Sequence, residues 1–247
     1  MMKVKHITLF FLSVFMAACA KAELASPAPT PQAIQVYYAP TMQFWADSLA
    51  NCASNNSHSA LYFFATYDKF HIGEDHIVLD LGQTTQNIDD AFQSQVGWEQ
   101  LVIVVNVSNH TSQLSQEEIQ QIFSGDSTQW GENQQLPIQV WSLPDEDPYT
   151  KVFYKTVLAD HLISTEARLA PDINAMLEAI SQNPGAIGFL PESTLNSQET
   201  SQTENLKIVR IPTDLKEELH QPVVAITQGE PEGLVRQLLV CLQDTGK

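Results

Sequence analysis

The stretch "LSQEEIQQIFSGDSTQW", residues 114–130, contains a helix together with the signals that begin and end it. Ser115 followed three residues later by Glu118 is a capping box, which satisfies free N–H groups at a helix N-terminus. Gly125 suits the left-handed conformation in which many helices end. The apolar residues recur at helical spacing and form one face: Ile119, Ile122 and Phe123. The stretch therefore predicts one amphipathic helix packed against a core.

The segments on both sides of this helix are typical of strands. "EQLVIVVNV", residues 99–107, is a continuous apolar run, as in a parallel sheet covered on both faces. "LPIQVW", residues 136–141, follows the helix and has a strand composition. This alternation of strands and helices predicts an α/β fold with largely parallel sheets.

The alternation continues along the chain in both directions. The other elements we predict are strands at 34–40, 59–67 and 76–85, a helix capped by Thr41, a helix at 88–97, a helix from about Tyr149, a helix from Asp172 that ends at "NPG", a strand at "AIGFL", strands at "LKIVRIP" and "PVVAIT", and a last helix at "PEGLVRQLLVCLQ".

Composition excludes some classes of function. The chain has 247 residues, 43% of them hydrophobic, which is enough for one large domain or two modest lobes. The formal net charge is −17, with only 12 lysines and arginines and no basic stripe. Nucleic-acid binding is therefore not expected. The acidity is spread along the chain, which is typical of a soluble surface.

The N-terminus has the pattern of a bacterial lipoprotein signal. Lys3 and Lys5 precede an apolar run, and "MAAC" places small residues directly before Cys19. The alternative is an ordinary secretory signal with a chance cysteine. We favour residues 1–18 as signal peptide and residues 19–33, rich in Pro, Ala and Ser, as a lipid-anchored tether. This predicts an extracytoplasmic protein anchored to a bacterial membrane.

Two further cysteines remain after Cys19. In an oxidising compartment Cys52 and Cys241 either pair in a disulfide between the first and last helices or stay as buried free thiols.

The middle of the chain resembles a known family. The motifs are "LSQEEIQQIFSGDSTQWGE", "LPIQVW", "FYKTVL" and "AISQNPGAIGFLP", with "DLGQTT" as a weaker one. Together they resemble the phosphate-binding-protein branch of the extracytoplasmic solute-binding proteins. The resemblance extends over about the whole chain after the tether, but it is specific only in the middle.

The resemblance implies a two-lobed periplasmic-binding-protein-like fold of type II. Each lobe would be a mostly parallel sheet with flanking helices, and the ligand cleft would lie between them. Lobe 1 would comprise residues 34–105 and 208–247, and lobe 2 residues 106–207. The protein would bind phosphate or a related small oxyanion as a monomer and pass it to an ABC permease, without cofactor, metal or catalysis.

Three turns are candidate sources of oxyanion donors, because helix N-termini and hydroxyls supply N–H and O–H groups. The first is "APTMQF", which offers the hydroxyl of Thr41 and the backbone N–H groups of Met42 and Gln43. A plain helix cap without ligand is an equal alternative here. The second is "GQTT", which offers Thr84 and Thr85, where an ordinary turn is the alternative.

The third turn is "SLPDEDPYT", residues 142–150, with Ser142, Tyr149 and Thr150 as candidate ligands. The family has an Arg followed by Asp-Gly-Ser-Gly-Thr here, and this chain lacks both the Arg and the Ser-Gly pair. A charge-assisted hydrogen bond contributes roughly 1.5–3 kcal/mol, so the missing Arg lowers the expected affinity about a hundredfold. Hence the alternative is a solute-binding-like surface or sensor protein with altered or lost ligand.

A secreted hydrolase is the alternative from another class. It requires a catalytic constellation, and the sequence has no G-x-S-x-G motif, no P-loop and no Cys–His pairing. We therefore expect a binding protein rather than an enzyme.

Overall fold

The predicted central helix is present in the computed structural model as α2, Gln116–Ser124. Ser115 accepts a hydrogen bond from the backbone N–H of Glu118, and the Glu118 side chain bonds back to Ser115, so the capping box is confirmed. Gly125 follows with φ 86° and donates its N–H to the carbonyl of Ile122, as expected for a helix ended by glycine.

The structure describes residues 32–54, 59–68, 72–82, 91–131, 136–159, 161–197 and 203–245. All of them lie within one compact unit, Pro31–Lys247. The predicted signal peptide, Cys19 and nearly all of the tether lie outside the described residues.

The elements follow one another along the chain as strands and helices in alternation. The strands are β1 Gln32–Tyr38, β2 Ser59–Ala65, β3 His76–Leu81, β4 Ala91–Asn106, β5 Gln129–Trp130, β6 Leu136–Pro137, β7 Gln139–Ser142, β8 Arg168–Leu169, β9 Ala186–Pro191, β10 Leu206–Ile208 and β11 His220–Gln228. The helices besides α2 are α1 Gln43–Ser54, α3 Pro148–Phe153, α4 Ile173–Gln182, α5 Glu192–Ser197, α6 Thr213–Glu218 and α7 Gly233–Thr245. A 3₁₀ turn, Pro40–Met42, precedes α1, and a π-helical segment, Tyr154–Leu158, continues α3.

The long strand β4 joins the two halves of the main sheet. Its first part pairs antiparallel with β11, ending where Gln100 lies opposite His220. From Leu101 onward it pairs antiparallel with β9, and its last residues pair with β10. The sheet order is β2-β1-β3-β11-β4-β9-β7-β8, and the pairs toward its two ends are parallel. This arrangement confirms the expected α/β fold with flanking helices, while the exact lobe boundaries stay a prediction.

The predicted helix at 88–97 is wrong for the part that the structure describes. Residues from Ala91 onward form β4, and Phe92 and Gln95 lie opposite Thr227 and Val224 of β11. The long-range ladder outweighs the local preference of a short segment, because strand stability comes mainly from cross-strand partners.

A disulfide joins the first and last helices of the described chain. The sulfur atoms of Cys52 in α1 and Cys241 in α7 are bonded at 2.03 Å, across a sequence separation of 189 residues. This bond holds α1, and with it the turn that contains Thr41, against the C-terminal helix.

Candidate functional site

The acidic turn before α3 is organised by Asp147. Asp147 is the N-cap of α3, and its Oδ1 accepts a hydrogen bond of 2.9 Å from the backbone N–H of Tyr149. Pro148 occupies the first helical turn, where a missing N–H costs nothing. Local sequence therefore fixes this cap, while Asp145 and Glu146 remain exposed on the outside of the turn.

The other oxygen of Asp147 contacts two hydroxyls from distant parts of the chain. The Thr41 hydroxyl donates a hydrogen bond of 2.6 Å to Oδ2, and the Tyr67 hydroxyl lies 3.4 Å from the same atom. Asp147 is fully buried, and Thr41 is 3% exposed. The expectation that Thr41 caps a helix is wrong, since the 3₁₀ turn has no side-chain cap and the hydroxyl is used by Asp147 instead.

Burial dominates the electrostatics of this cluster. It raises the pKa of Asp147 to about 6, although the hydrogen bonds from Thr41, Tyr149 and the Thr150 backbone favour the ionised form. Burial and the neighbouring Asp147 carboxylate also raise the pKa of Tyr67 far above its usual value, so this hydroxyl keeps its proton and can donate it. The site is thus a set of neutral donors around one buried acid.

One other predicted donor of the first turn, the Met42 N–H, is already used, and the Gln43 side chain has partners of its own. The backbone N–H of Met42 donates to the carbonyl of Ala39 at 2.8 Å. The amide side chain of Gln43 accepts from the Tyr38 hydroxyl and donates to Asp47. Thr84 and Thr85 of the second turn lie outside the described residues.

The predicted ligands of the third turn are buried, and the backbones of two of them, Tyr149 and Thr150, contact the Asp147 carboxylate. Ser142 shares a hydrogen bond of 3.0 Å with the Tyr154 hydroxyl and donates another to the carbonyl of Leu143. The hydroxyls of Tyr149 and Thr150 are buried and have no hydrogen-bond partner. Buried polar groups are usually paired, so these two hydroxyls are unusual, and their residues form the first turn of the helix that Asp147 caps.

A cavity of about 410 Å³ opens beside the Asp147 cluster. Its lining is mixed polar and apolar with two carboxylates, and it includes Thr41, Gln43, Phe44, Asp47, Asp172 and Ile173. Asp172 is the N-cap of α4, which brings a second helix N-terminus to this cavity. Solvent can thus approach the Thr41 side of the cluster.

Sequence reasoning missed Asp147 and Tyr67 as members of the site. For Asp147 a signal was available, because Asp directly before Pro is typical of a helix cap. For Tyr67 no local signal exists, since it is 80 residues from Asp147 in the sequence and only the fold brings the two together.

Metal and membrane features are not found in the part of the chain that the structure describes. Within those residues no group of three or more His, Cys, Asp or Glu side chains is arranged to hold a metal ion. The same residues include no helix with the length and hydropathy that crossing a bilayer requires.

Comparison with known proteins assigns the fold to a family. Residues 80–245 match the model of the PBP superfamily domain, and the chain belongs to this superfamily. No curated protein matches the sequence.

Solved structures show the same fold at low identity. A Clostridium perfringens structure with bound phosphate, described as a phosphate ABC transporter substrate-binding protein, has a TM-score of 0.69 at 12% identity, covering 85% of this chain and 93% of that one. An ABC-type phosphate transport receptor from Vibrio cholerae has a TM-score of 0.61 at 14% identity, covering 86% and 94%. The OxyR2 E204G regulatory domain from Vibrio vulnificus has a TM-score of 0.61 at 13% identity, covering 90% and 98%.

Proposed function

We propose that this protein is an extracytoplasmic solute-binding protein that binds a small oxyanion, phosphate foremost, and delivers it to an ABC permease. Cys19 would carry the lipid that anchors it to the membrane, and residues 19–33 would act as the tether. The two lobes, 34–105 with 208–247 and 106–207, would close around the ligand by hinge motion. The role involves binding and release without a catalytic step.

The observation that carries this proposal is the convergence of donors on one oxygen-rich group. A threonine hydroxyl, a tyrosine hydroxyl and a backbone N–H from a helix start all meet the carboxylate of Asp147. A carboxylate presents two negatively charged oxygens, as a small oxyanion does. These donors are the kind that binds oxyanions in proteins.

The fold also supports a solute-binding function. Two of the similar structures are phosphate transport proteins, and one of them is described with bound phosphate. At 12–14% identity this likeness concerns the fold, so the ligand assignment rests on the donors at Asp147 and on the sequence motifs.

A second candidate function follows from a specific observation. The group that occupies the donors is a side chain of the protein itself, and the nearby cavity has two more carboxylates, Asp47 and Asp172. Both features oppose a free anion. The second candidate is therefore a solute-binding-like surface or sensor protein with altered or lost ligand.

Calorimetric titration of the exported protein with phosphate, sulfate and molybdate tests the first proposal. We expect heat of binding and a change in the fluorescence of Trp45, which lies in α1 just after the Thr41 turn. A Kd of about 1 mM corresponds to a binding free energy of only about 4 kcal/mol. If none of the three anions gives a binding signal at about millimolar concentration, the second candidate function is favoured.

The anchor is tested separately. Cys19→Ser should release the protein from the membrane fraction into the soluble fraction. An unchanged distribution between the two fractions would contradict lipidation at Cys19.

A further inference from the structure

The carboxylate of Asp147 fills a donor set assembled from three distant parts of the chain. Thr41 comes from the turn before α1, Tyr67 from the segment after β2, and Tyr149 from the first turn of α3. A helix cap by itself needs only the Tyr149 N–H, and such a cap is normally solvent-accessible. The two hydroxyls and the complete burial of Asp147 therefore exceed what capping requires.

An oxyanion cannot share these donors with an ionised Asp147. Two negative groups placed at the same donors would repel each other by several kcal/mol at low dielectric. The tethered carboxylate also has an effective concentration on the order of millimolar or higher, because its position is fixed by the cap. A free anion must therefore compete with a ligand that is always present.

The charges around the carboxylate do not help an anion to enter. Among the residues that the structure describes, the titratable groups that act on Asp147 and its two tyrosine neighbours are acids and tyrosines. They come from the same turn, the segment after β2, α3, the start of α4, β3 and β4: Glu146, Tyr67, Tyr149, Asp172, Asp80 and Glu99.

The buried hydroxyl of Thr150 is independent evidence that the first turn of α3 has a role beyond helix capping. It is fully buried, has no hydrogen-bond partner and lies three residues after Asp147. An unpaired buried hydroxyl costs about 1–3 kcal/mol, so it indicates a partner that is missing in this arrangement.

We propose that Asp147 is an intramolecular ligand of the oxyanion site and that an external oxyanion binds there by displacing its carboxylate. This inference rests on the proposed oxyanion function and adds a way in which binding at that site is regulated. Displacement frees the Thr41 and Tyr67 hydroxyls and the Tyr149 N–H, and it breaks the hydrogen bond that ties the Thr41 turn to the acidic turn. Protonation of Asp147, which its raised pKa makes accessible near neutral pH, weakens the competitor and favours the exchange.

Sulfate is the right probe, because it stays a dianion throughout the pH range in which Asp147 titrates. We would measure its affinity by calorimetry at about pH 8 and about pH 5, on either side of the Asp147 pKa. The variants are Asp147→Ser, which keeps a capping hydroxyl but removes the charge, and Asp147→Asn, which keeps the shape. The matched control is Asp145→Asn, which removes a charge from the exposed part of the same turn.

Asp147→Ser should bind sulfate at least about tenfold more tightly than the wild type at high pH, whereas Asp145→Asn should stay within about twofold. The wild type should bind more tightly at low pH than at high pH, and Asp147→Ser should lose this dependence. If Asp147→Ser fails to fold by circular dichroism, Asp147→Asn and the wild-type pH profile decide the question.

Two outcomes separate the two proposals. Equal affinity and equal pH dependence for the wild type and both Asp147 variants would overturn the displacement and leave oxyanion binding intact. Absence of sulfate and phosphate binding in every form, Asp147→Ser included, would contradict the oxyanion function itself and the displacement with it.

Discussion

Two buried carboxylates, Asp147 and Glu99, each join separate parts of this fold, yet they do so differently. Glu99 is 3% exposed and accepts hydrogen bonds of 3.0 Å from the Trp45 indole and of 2.6 and 3.1 Å from the hydroxyl and backbone N–H of Ser193. Burial raises its pKa as it raises that of Asp147. Both groups thus bring a negative charge into the interior without a cation among the partners described above.

The difference lies in the backbone that holds each acid. Glu99 lies inside β4, in register with Gln221 of β11, so its backbone is part of the sheet ladder. Asp147 lies in a turn between exposed residues and a proline, and its carboxylate is held by the helix cap and by two hydroxyls. The backbone of a strand residue cannot move without breaking ladder hydrogen bonds, whereas the backbone of a turn residue can. Glu99 is therefore held more firmly than Asp147, in keeping with the exchange that we propose for Asp147.

The largest effect is expected for Glu99→Ala. It leaves the buried Trp45 indole N–H and the two half-buried Ser193 donors without their acceptor, which should lower the free energy of unfolding by about 4 kcal/mol. Urea denaturation measures this value, and Glu217→Ala, at an exposed position of α6, should change it by no more than about 0.5 kcal/mol. If Glu99→Ala lowers the free energy of unfolding only slightly, Glu99 is not the structural acid that its contrast with Asp147 requires.

The next effect is the pH dependence contributed by Asp147. Its pKa is raised from 3.8 to about 6, so the folded state binds this proton more tightly than the unfolded chain does. The resulting stability is fully present below about pH 4 and is lost as the pH rises through about 6, a loss of about 3 kcal/mol.

Thermal or urea unfolding as a function of pH tests this expectation. Asp147→Asn should lack that part of the slope, while the part due to Glu99 persists in both proteins. Parallel stability curves for the wild type and Asp147→Asn would show that Asp147 does not titrate in this window.

The smallest effect is expected for Thr41→Val, which keeps the shape of the side chain and removes the hydroxyl that bonds to Asp147. The hydrogen bond to an ionised group should contribute about 2 kcal/mol above the Asp147 pKa and less below it. Thr128→Val, at an exposed position, is the control and should be nearly neutral. A loss for Thr41→Val that does not depend on pH would mean that the hydroxyl stabilises the fold independently of the Asp147 charge.

Local signals predicted much of the fold and one part of the site. The caps of α2 and α4 were predictable because capping uses residues that are neighbours in sequence. The start of β4 at Ala91 was not, since that segment is a strand only through its ladder with β11. Likewise Tyr149 and Thr150 were placed at a helix start correctly, while the partner of Thr41 was missed.

The sequence by itself determined the alternation of strands and helices, the helix caps and the family resemblance, because these depend on short-range patterns of apolar and capping residues. Only the tertiary structure decided that Thr41 donates to Asp147 across 106 positions of sequence, and that Glu99 accepts hydrogen bonds from Trp45 and Ser193. The physical reason is burial, which raises the pKa of both acids and strengthens each hydrogen bond to them. Burial is a property of the folded chain, and no local stretch encodes it.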